Sequence, residues 1–496
     1  MASTTAVGVT DGSVWKRWGV PAALAALVAV IALPTPQGLP VAGQIMIGLL
    51  LFSVILWMTE AVDYAISAVF ITALMAFLLG TAPNAAKPEA VLGTGPALGL
   101  ALGGFANTAL ALVAAALFLS AAMTITGLDK RIALFILSRV GARTNRVVMG
   151  AILVGIALSF LVPSTTARVA CLVPIIMGII LAFGVDKRSR FAGLLMITTA
   201  QAASIWNVGV KTAAAQNMVA IGFIEKTLKG SITWLDWLIA AAPWSILMSF
   251  ALYFVMTRMM PPETEEVAGG KEAIRKALAE MGPMRTSEKK LLAITLALLA
   301  LWSTEKVLHP FDTSSTTIAA VALMFLPGVG IMGWKDAQSR IPWGTVVLFG
   351  VGISLGTALL QTKAAAWIAN IIVANLGLQG SSAFAILALL SLFLIVIHLG
   401  FASATALASA MIPIMISVLQ QVQAPGMNII GMTMILQFVV SFGFILPVNA
   451  PQNMVAYGTD TFVVKDFVRT GLVLTAIGYA LVLLLGATYW PWLGLM

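Results

Sequence analysis

Two short hydroxyl-bearing stretches interrupt otherwise apolar sequence, Ser164-Thr165-Thr166-Ala167 and Ser403-Ala404-Thr405-Ala406, and each has a proline ten residues past its serine, Pro174 and Pro413. Each is followed by a copy of one heptapeptide: AAQNMVA from Ala214 to Ala220, then APQNMVA from Ala450 to Ala456, alike at six of seven positions. The chemistry these residues offer is anion binding. Where an apolar helix breaks and resumes, its first N–H groups are unpaired and carry partial positive charge. Hydroxyls from Ser164, Thr165, Thr166, Ser403 and Thr405 beside such ends complete a receptor for an oxyanion. Two tips meeting from opposite sides can hold both ends of a divalent anion. One S-x-T alone reads as a helix cap; the matched pair carries the binding reading.

The amides Gln216, Asn217, Gln452 and Asn453 stand inside apolar runs, where burial without partners costs several kcal/mol. They either bind ligand or tie broken backbone together, and the second role is the commoner. The backbone next to them, Ala213 included, offers carbonyl groups as candidate cation ligands. Arg168 and Lys211 are the sharpest departures from apolarity, since charge at membrane depth is expensive and faces a cavity or a partner. No Asp or Glu lies in either broken segment, so an anionic substrate is their natural counter-charge; the rival reading has Arg168 snorkelling to a headgroup. His398 reads as a structural hydrogen-bonder, and Glu60 and Glu305, each closing a W-x-T-E motif, as structural. No nucleophile elbow, Cys/His metal spacing or phosphate-cradling glycine loop is visible. The sequence points away from an enzyme, an organic cofactor and an ATP-driven pump.

The elements that must position these groups follow from composition. Of 496 residues, 60% are hydrophobic and 9% charged, and the mean hydropathy is +1.01. A soluble domain carries about 25% charge, so this chain cannot build a charged surface. Apolar runs of about 18 residues recur, each long enough to span a bilayer as a helix. The class is an all-α polytopic membrane protein. The net charge of +9 does not signal nucleic acid, because the basic residues cluster in short loops: Lys16-Arg17, then Lys130, Arg131, Arg139, Arg143 and Arg146, then Lys187, Arg188 and Arg190. That is the positive-inside pattern of a cytoplasmic (inner) membrane protein with a cytoplasmic N-terminus. Met1 to Val14 is polar and shows no cleavable signal. The single cysteine, Cys171, excludes an internal disulfide framework.

The chain divides into a first repeat, 1–260, a charged cytoplasmic linker, 261–290, and a second repeat, 291–496. The first holds apolar segments near 18–33, 42–60, 64–80 and 99–126, then an amphipathic stretch at 128–140. That stretch suits a helix lying in the interface or packed on a neighbouring domain. Residues 145–184 form either two spans with a tight turn or a re-entrant hairpin, and the polar tip favours the hairpin, because irregular backbone at membrane depth needs protein or a wet cavity around it. A broken helix at 191–224 and a span at 233–257 complete the half. The linker is rich in Glu263, Glu265, Glu266, Lys271, Glu272, Arg275, Lys276 and Glu280, and reads as a connecting helix. The second half repeats the plan: Trp302 to Glu305 echoes Trp57 to Glu60, then come a segment at 343–361, an amphipathic stretch at 363–376, a hairpin at 382–420, a broken helix at 427–458 and a last span at 470–491. Four landmarks recur in order at offsets of 236 to 245. One extra span in the first half inverts the second copy, and inverted repeats with broken helices at the midplane are a secondary-transporter architecture.

The motifs GLDKRIALFILSRVGART (127–144), PSTTAR (163–168), WKDA (334–337), IPWGTVVLFG (341–350), HLGFASATA (398–406) and SFGFILPVNAPQNMVAYGT (441–459) span nearly the whole chain. With them the sequence resembles the divalent anion/sodium symporter (DASS) family, which includes bacterial dicarboxylate symporters, citrate/succinate antiporters and plastid 2-oxoglutarate/malate translocators. The resemblance implies a homodimer in which each protomer has a scaffold domain and a transport domain moving as an elevator, linked by the amphipathic arms. It also implies that Ser-Asn-Thr motifs on both tips contact substrate carboxylates and help to form two sodium sites. This chain departs there. The central Asn is Thr165 in one tip and Ala404 in the other, and a threonine frequent just before the heptapeptide's second residue is Ala214 and Ala450. Asn449 adds a polar group, so Thr212, Asn449 and Pro451 join the tips as substrate-binding candidates. Arg168 and the His398 to Ala406 segment resemble the exchanger branch, where fixed positive charge stands in for sodium; sodium beside Arg168 and Lys211 would meet repulsion. The expectation is a secondary transporter of di- or tricarboxylates working by exchange. The alternatives are sodium-coupled dicarboxylate symport, transport of sulfate or another inorganic oxyanion, and, from a different class, an anion channel.

Overall fold

The computed structural model describes residues 12–84, 87–140, 143–182, 184–263, 270–422 and 424–496. The N-terminal stretch through residue 11, and Glu265 and Glu266 of the linker, lie outside them. Among the described residues the regular structure is helical apart from one small antiparallel pair, β1 (Pro83–Asn84) with β2 (Lys87–Val91). Nine helices among the described residues are long and apolar enough to cross a membrane by length and composition.

The first half begins with α1 (Gly12–Ala32), α2 (Val41–Thr59) and α3 (Tyr64–Leu74), the last continuing through a wide turn at Met75–Leu79. The apolar segment expected at 99–126 is two helices, α4 (Thr94–Leu102) and α5 (Thr108–Thr126). The cause is local. A Cβ on Gly104 would overlap the Gly350 carbonyl and the Ser354 backbone, the Gly104 N–H donates to Ser354 Oγ at 2.8 Å, and Asn107 caps α5 by accepting from the Ala109 N–H. The amphipathic stretch is α6 (Leu128–Val140), and the hairpin is α7 (Thr144–Leu161) with α8 (Thr165–Ala182). The broken helix is α9 (Arg190–Gly209), a tight turn at Lys211–Ala213, and α10 (Ala215–Phe223). Then α11 (Trp234–Met259) runs back alongside α9, with Trp237 Nε1 donating to the Val208 carbonyl at 2.8 Å.

In the linker, α12 (Gly270–Glu280) is the connecting helix, but the linker ends sooner than 290, because α13 (Thr286–Ser303) already starts at Thr286. The second half continues with α14 (Thr313–Phe325), α15 (Trp334–Gln338), α16 (Trp343–Gln361) and the arm α17 (Ala364–Leu376). Its hairpin is α18 (Ala383–His398) with α19 (Ala404–Val422), its broken helix is α20 (Ile429–Val440) with α21 (Pro451–Tyr457), and α22 (Val464–Ala487) and α23 (Tyr489–Trp492) close the chain.

Ion pairs fix which ends share a side. Lys16 pairs with Glu60 at 3.7 Å, placing the start of α1 with the end of α2. Arg131 Nε donates to buried Glu288 at 2.9 Å, and Arg285 donates to the Thr126 carbonyl, placing the end of α5 with the start of α13. If α3 with its continuation, a shorter apolar helix (Tyr64–Leu79), and the spanning α5 each cross once, the W-x-T-E ends of α2 and α13 face opposite sides. That inverts the second copy and leaves α1 as the helix without a counterpart.

Candidate functional site

Both hairpin tips and both helix breaks open onto one cavity of about 320 Å³. From the first half it is lined by Ser164, Thr165, Thr166, Thr212, Ala214, Ala215 and Gln216, and from the second by Ser403, Ala404, Thr405, Ala450, Pro451 and Gln452. The far wall is α5 and the start of α16: Leu112, Val113, Ala116, Leu117, Pro342, Thr345 and Leu348, with Tyr64 beside them. Leu112 to Leu117 is the middle of a 19-residue spanning helix, so the tips sit at mid-depth and the hairpins are re-entrant.

The helices resuming after each tip and break start at this cavity. Ser164 Oγ accepts from the Ala167 N–H at 3.4 Å and Ser403 Oγ from the Ala406 N–H at 3.3 Å, the same cap in both copies. The starts of α8, α10 and α19 each present an N-terminal partial charge of roughly +0.5. The fourth element, α21, contributes less: it is seven residues long with proline at its first position, which has no N–H to offer. Among the described residues lining the cavity there is no Lys, Arg, His, Asp or Glu.

Arg168 and Lys211 are not on the cavity wall. Arg168 is wholly buried, and its fork binds oxygens: Nη1 donates to the carbonyls of Val162 at 2.9 Å and Ala213 at 3.1 Å. Nη2 donates to Asn207 Oδ1 at 2.6 Å, the Ala203 carbonyl at 3.3 Å and Thr165 Oγ1 at 3.4 Å. It thus ties the first tip to the first break. Lys211 Nζ donates to the Ile232 carbonyl at 2.7 Å, and the carboxylates acting on its charge are Glu305, Glu225 and Asp236, beyond the broken segment itself.

In the second copy an amide does what Arg168 does in the first. Asn449 Nδ2 donates to the carbonyls of His398 at 2.9 Å, Phe401 at 3.0 Å and Leu399 at 3.4 Å, and His398 Nε2 lies 3.4 Å from the Asn449 carbonyl. Asn449 therefore stands behind the cavity wall, as do Ala213, Asn217 and Asn453. Asn217 Nδ2 donates to the Asn207 carbonyl at 2.7 Å and Asn453 Nδ2 to the Gly443 carbonyl at 2.8 Å, so the amides do hold broken backbone. Among the described residues their Oδ1 atoms have no hydrogen-bond partner. Gln216 donates to Ser441 Oγ at 3.3 Å and Gln452 to Ser204 Oγ at 3.1 Å, each glutamine reaching into the other copy.

Sequence reasoning missed Tyr64, Asn207, Thr345 and Ser441. Asn207 was findable as a polar residue inside the apolar run before the first break. Thr345 and Ser441 lie inside the motifs IPWGTVVLFG and SFGFILPVNAPQNMVAYGT, which could have pointed to them, whereas nothing in the sequence sets Tyr64 apart.

Paired re-entrant hairpins and broken helices around one mid-depth, hydroxyl-lined cavity define a multi-pass membrane transporter built from inverted repeats. A family model described as "Sodium:sulfate symporter transmembrane region" matches residues 15–496. The chain belongs to this family, the divalent anion/sodium symporters. It is 57% identical to a "Membrane protein" of Cupriavidus necator, over 96% of this chain and 93% of that one. It is 26% identical to the "L-tartrate/succinate antiporter" of Escherichia coli K12, over 96% and 98%. Among solved structures, the Alcanivorax borkumensis YdaH transporter matches with a TM-score of 0.54 at 16% identity, covering 86% of this chain and 97% of that one. This last likeness concerns the fold alone.

Proposed function

We propose that the protein exchanges divalent organic anions, di- or tricarboxylates, across the cytoplasmic membrane by an elevator motion, without a bound cation. The observation that carries the reading is the cavity itself. Three full helix N-termini start at it, the tip residues Ser164, Thr165, Thr166, Ser403 and Thr405 line it, and none of the described lining residues is charged. The Thr165 hydroxyl is given to Asn207 Oδ1 at 2.6 Å, which leaves four tip hydroxyls for a ligand. Three ends at roughly +0.5 each offset most of a dianion. The tip and break carbonyls that could ligate a cation accept instead from Arg168 in one copy and from Asn449 in the other. The L-tartrate/succinate antiporter among the relatives supports exchange of dicarboxylates. A homodimer, as the resemblance implies, belongs to the same proposal.

A second reading, sodium-coupled symport, is favoured by one observation: Asn217 Oδ1 and Asn453 Oδ1 are mirrored buried acceptors without a partner among the described residues, as a small cation would require. Uptake of labelled succinate, citrate and sulfate into proteoliposomes tests both. Exchange predicts acceleration by internal substrate and indifference to sodium. Strict sodium dependence without counterflow selects symport, preference for sulfate selects an inorganic substrate, and uptake without counterflow or sodium dependence indicates a channel.

A further inference from the structure

A second cavity, about 750 Å³, adjoins the first. The two share their walls: α5 gives Leu112 to Leu117 to the first and Ser120 to Thr124 to the second, and α8 gives Thr165 and Thr166 to the first and Ala167 onward to the second. The second lies toward the loop that follows α5, whose basic residues place it on the cytoplasmic side. Its walls are mostly apolar, and α12 closes part of it with Ala273, Ile274 and Ala277.

Two cations line this cavity, Lys130 at the start of the arm and Arg340 just before α16. Both are exposed, and neither forms an ion pair among the described residues. The one acid on the wall, Asp129, is 5% exposed, and its Oδ1 accepts the Lys130 backbone N–H at 2.7 Å. The arrangement complements the first cavity, where side-chain charge is lacking and the helix ends act only at short range. Two exposed cations against one buried acid leave the wall with an excess of positive charge, and such an excess between low-dielectric walls focuses field lines and concentrates counter-ions.

We infer that Lys130 and Arg340 form a cytoplasmic capture station, which gathers the carboxylate substrate from the cytoplasm and hands it to the hydroxyl-lined cavity. The inference rests on the anion-transport reading and adds a sidedness that reading does not contain. Entry from the opposite face does not pass these residues, so their effect is confined to one direction.

The test compares labelled succinate uptake by right-side-out and inside-out membrane vesicles loaded with unlabelled succinate, for the wild type, the double variant Lys130→Gln/Arg340→Gln, and the charge-keeping Lys130→Arg/Arg340→Lys. The expected result is a KM raised about tenfold for the Gln pair in inside-out vesicles at low ionic strength. Its maximal rate stays unchanged, its KM in right-side-out vesicles stays at the wild-type value, and the charge-keeping pair behaves as wild type. The difference should shrink at about 0.5 M salt, where screening acts within a few ångströms. An unchanged KM in inside-out vesicles, or an equal rise in both orientations, overturns the capture station while leaving anion transport intact. Absence of succinate uptake by the wild type in either orientation, with sulfate taken up instead, overturns the carboxylate reading.

Discussion

At the scale of single residues, Arg168 and Asn449 answer one problem in two ways. Each hairpin tip turns carbonyl oxygens inward at mid-depth, where unpaired polar groups cost about 1–3 kcal/mol each. Arg168 satisfies them in the first copy and Asn449 in the second. Removing the donor should expose a cation cage. Arg168→Gln leaves the carbonyls of Val162, Ala203 and Ala213 short of a charged donor, and should cost about 3 kcal/mol of stability. Sodium, but not choline, should restore part of the lost Tm, since a ligand that binds only the folded state stabilises it; wild-type Tm should not distinguish the two ions. Asn449→Asp goes further by setting a carboxylate among three carbonyls, and should make succinate uptake depend on sodium. If Arg168→Gln is as stable as wild type, or sodium shifts both Tm values equally, the guanidinium is not filling a cation's place.

At the scale of elements, close approach of α16 to the second hairpin sets where that tip lies. A Cβ on Gly352 would overlap the Ser409 side chain, one turn beyond Thr405, and a Cβ on Gly356 would overlap Phe223 and Pro413. Gly352→Ala should therefore cost about 1–3 kcal/mol through overpacking and weaken substrate affinity by displacing α19. Gly99→Ala, where a Cβ meets open space, should be neutral or mildly stabilising in the same thermal unfolding assay; equal losses in both would remove the packing argument. The sequence made the elements legible to different degrees. Hairpins, breaks and arms were readable because each is punctuated by residues that cannot continue an apolar helix, and the pairing of the copies fixed their order. The gap between α4 and α5 was not, because Gly103-Gly104 reads as tolerated glycine in an apolar run until Ser354 and Gly350 are seen against it. Arg168 was readable as important but not as turned away from the cavity, since the oxygens that hold it are backbone groups, which every sequence has alike. That no Asp or Glu lies in the broken segment itself is readable, but the influence of Glu305, Glu225 and Asp236 on the Lys211 charge is not, since all three lie outside that segment.

At the scale of the whole molecule, the division of charge bears on coupling. The cavity's positive potential comes from helix ends and from Arg168 behind them, all covalently fixed. On the elevator reading, an empty transport domain carries that potential uncompensated past the apolar wall of α5, whereas a loaded one is close to neutral. Bound dianion is then a condition for the crossing, and exchange follows from electrostatics without a gate dedicated to it. Swapping one dianion for another moves no net charge. A symporter carrying three sodium ions per dianion would move one positive charge, and so feel about 2.3 kcal/mol per 100 mV. Succinate homoexchange in proteoliposomes should accordingly keep its rate when a potassium diffusion potential of either sign is imposed with valinomycin. With no carboxylate, amine, guanidinium or histidine among the described residues of the cavity wall, its pH profile below the range of the Tyr64 phenol should follow the second ionisation of the substrate, shifting when the substrate is replaced by a dicarboxylate of different second pKa. A rate that tracks the imposed potential, or a pH profile that stays fixed as the substrate changes, would place a mobile charge or a titrating side chain in the transport step and remove the fixed-charge account of exchange.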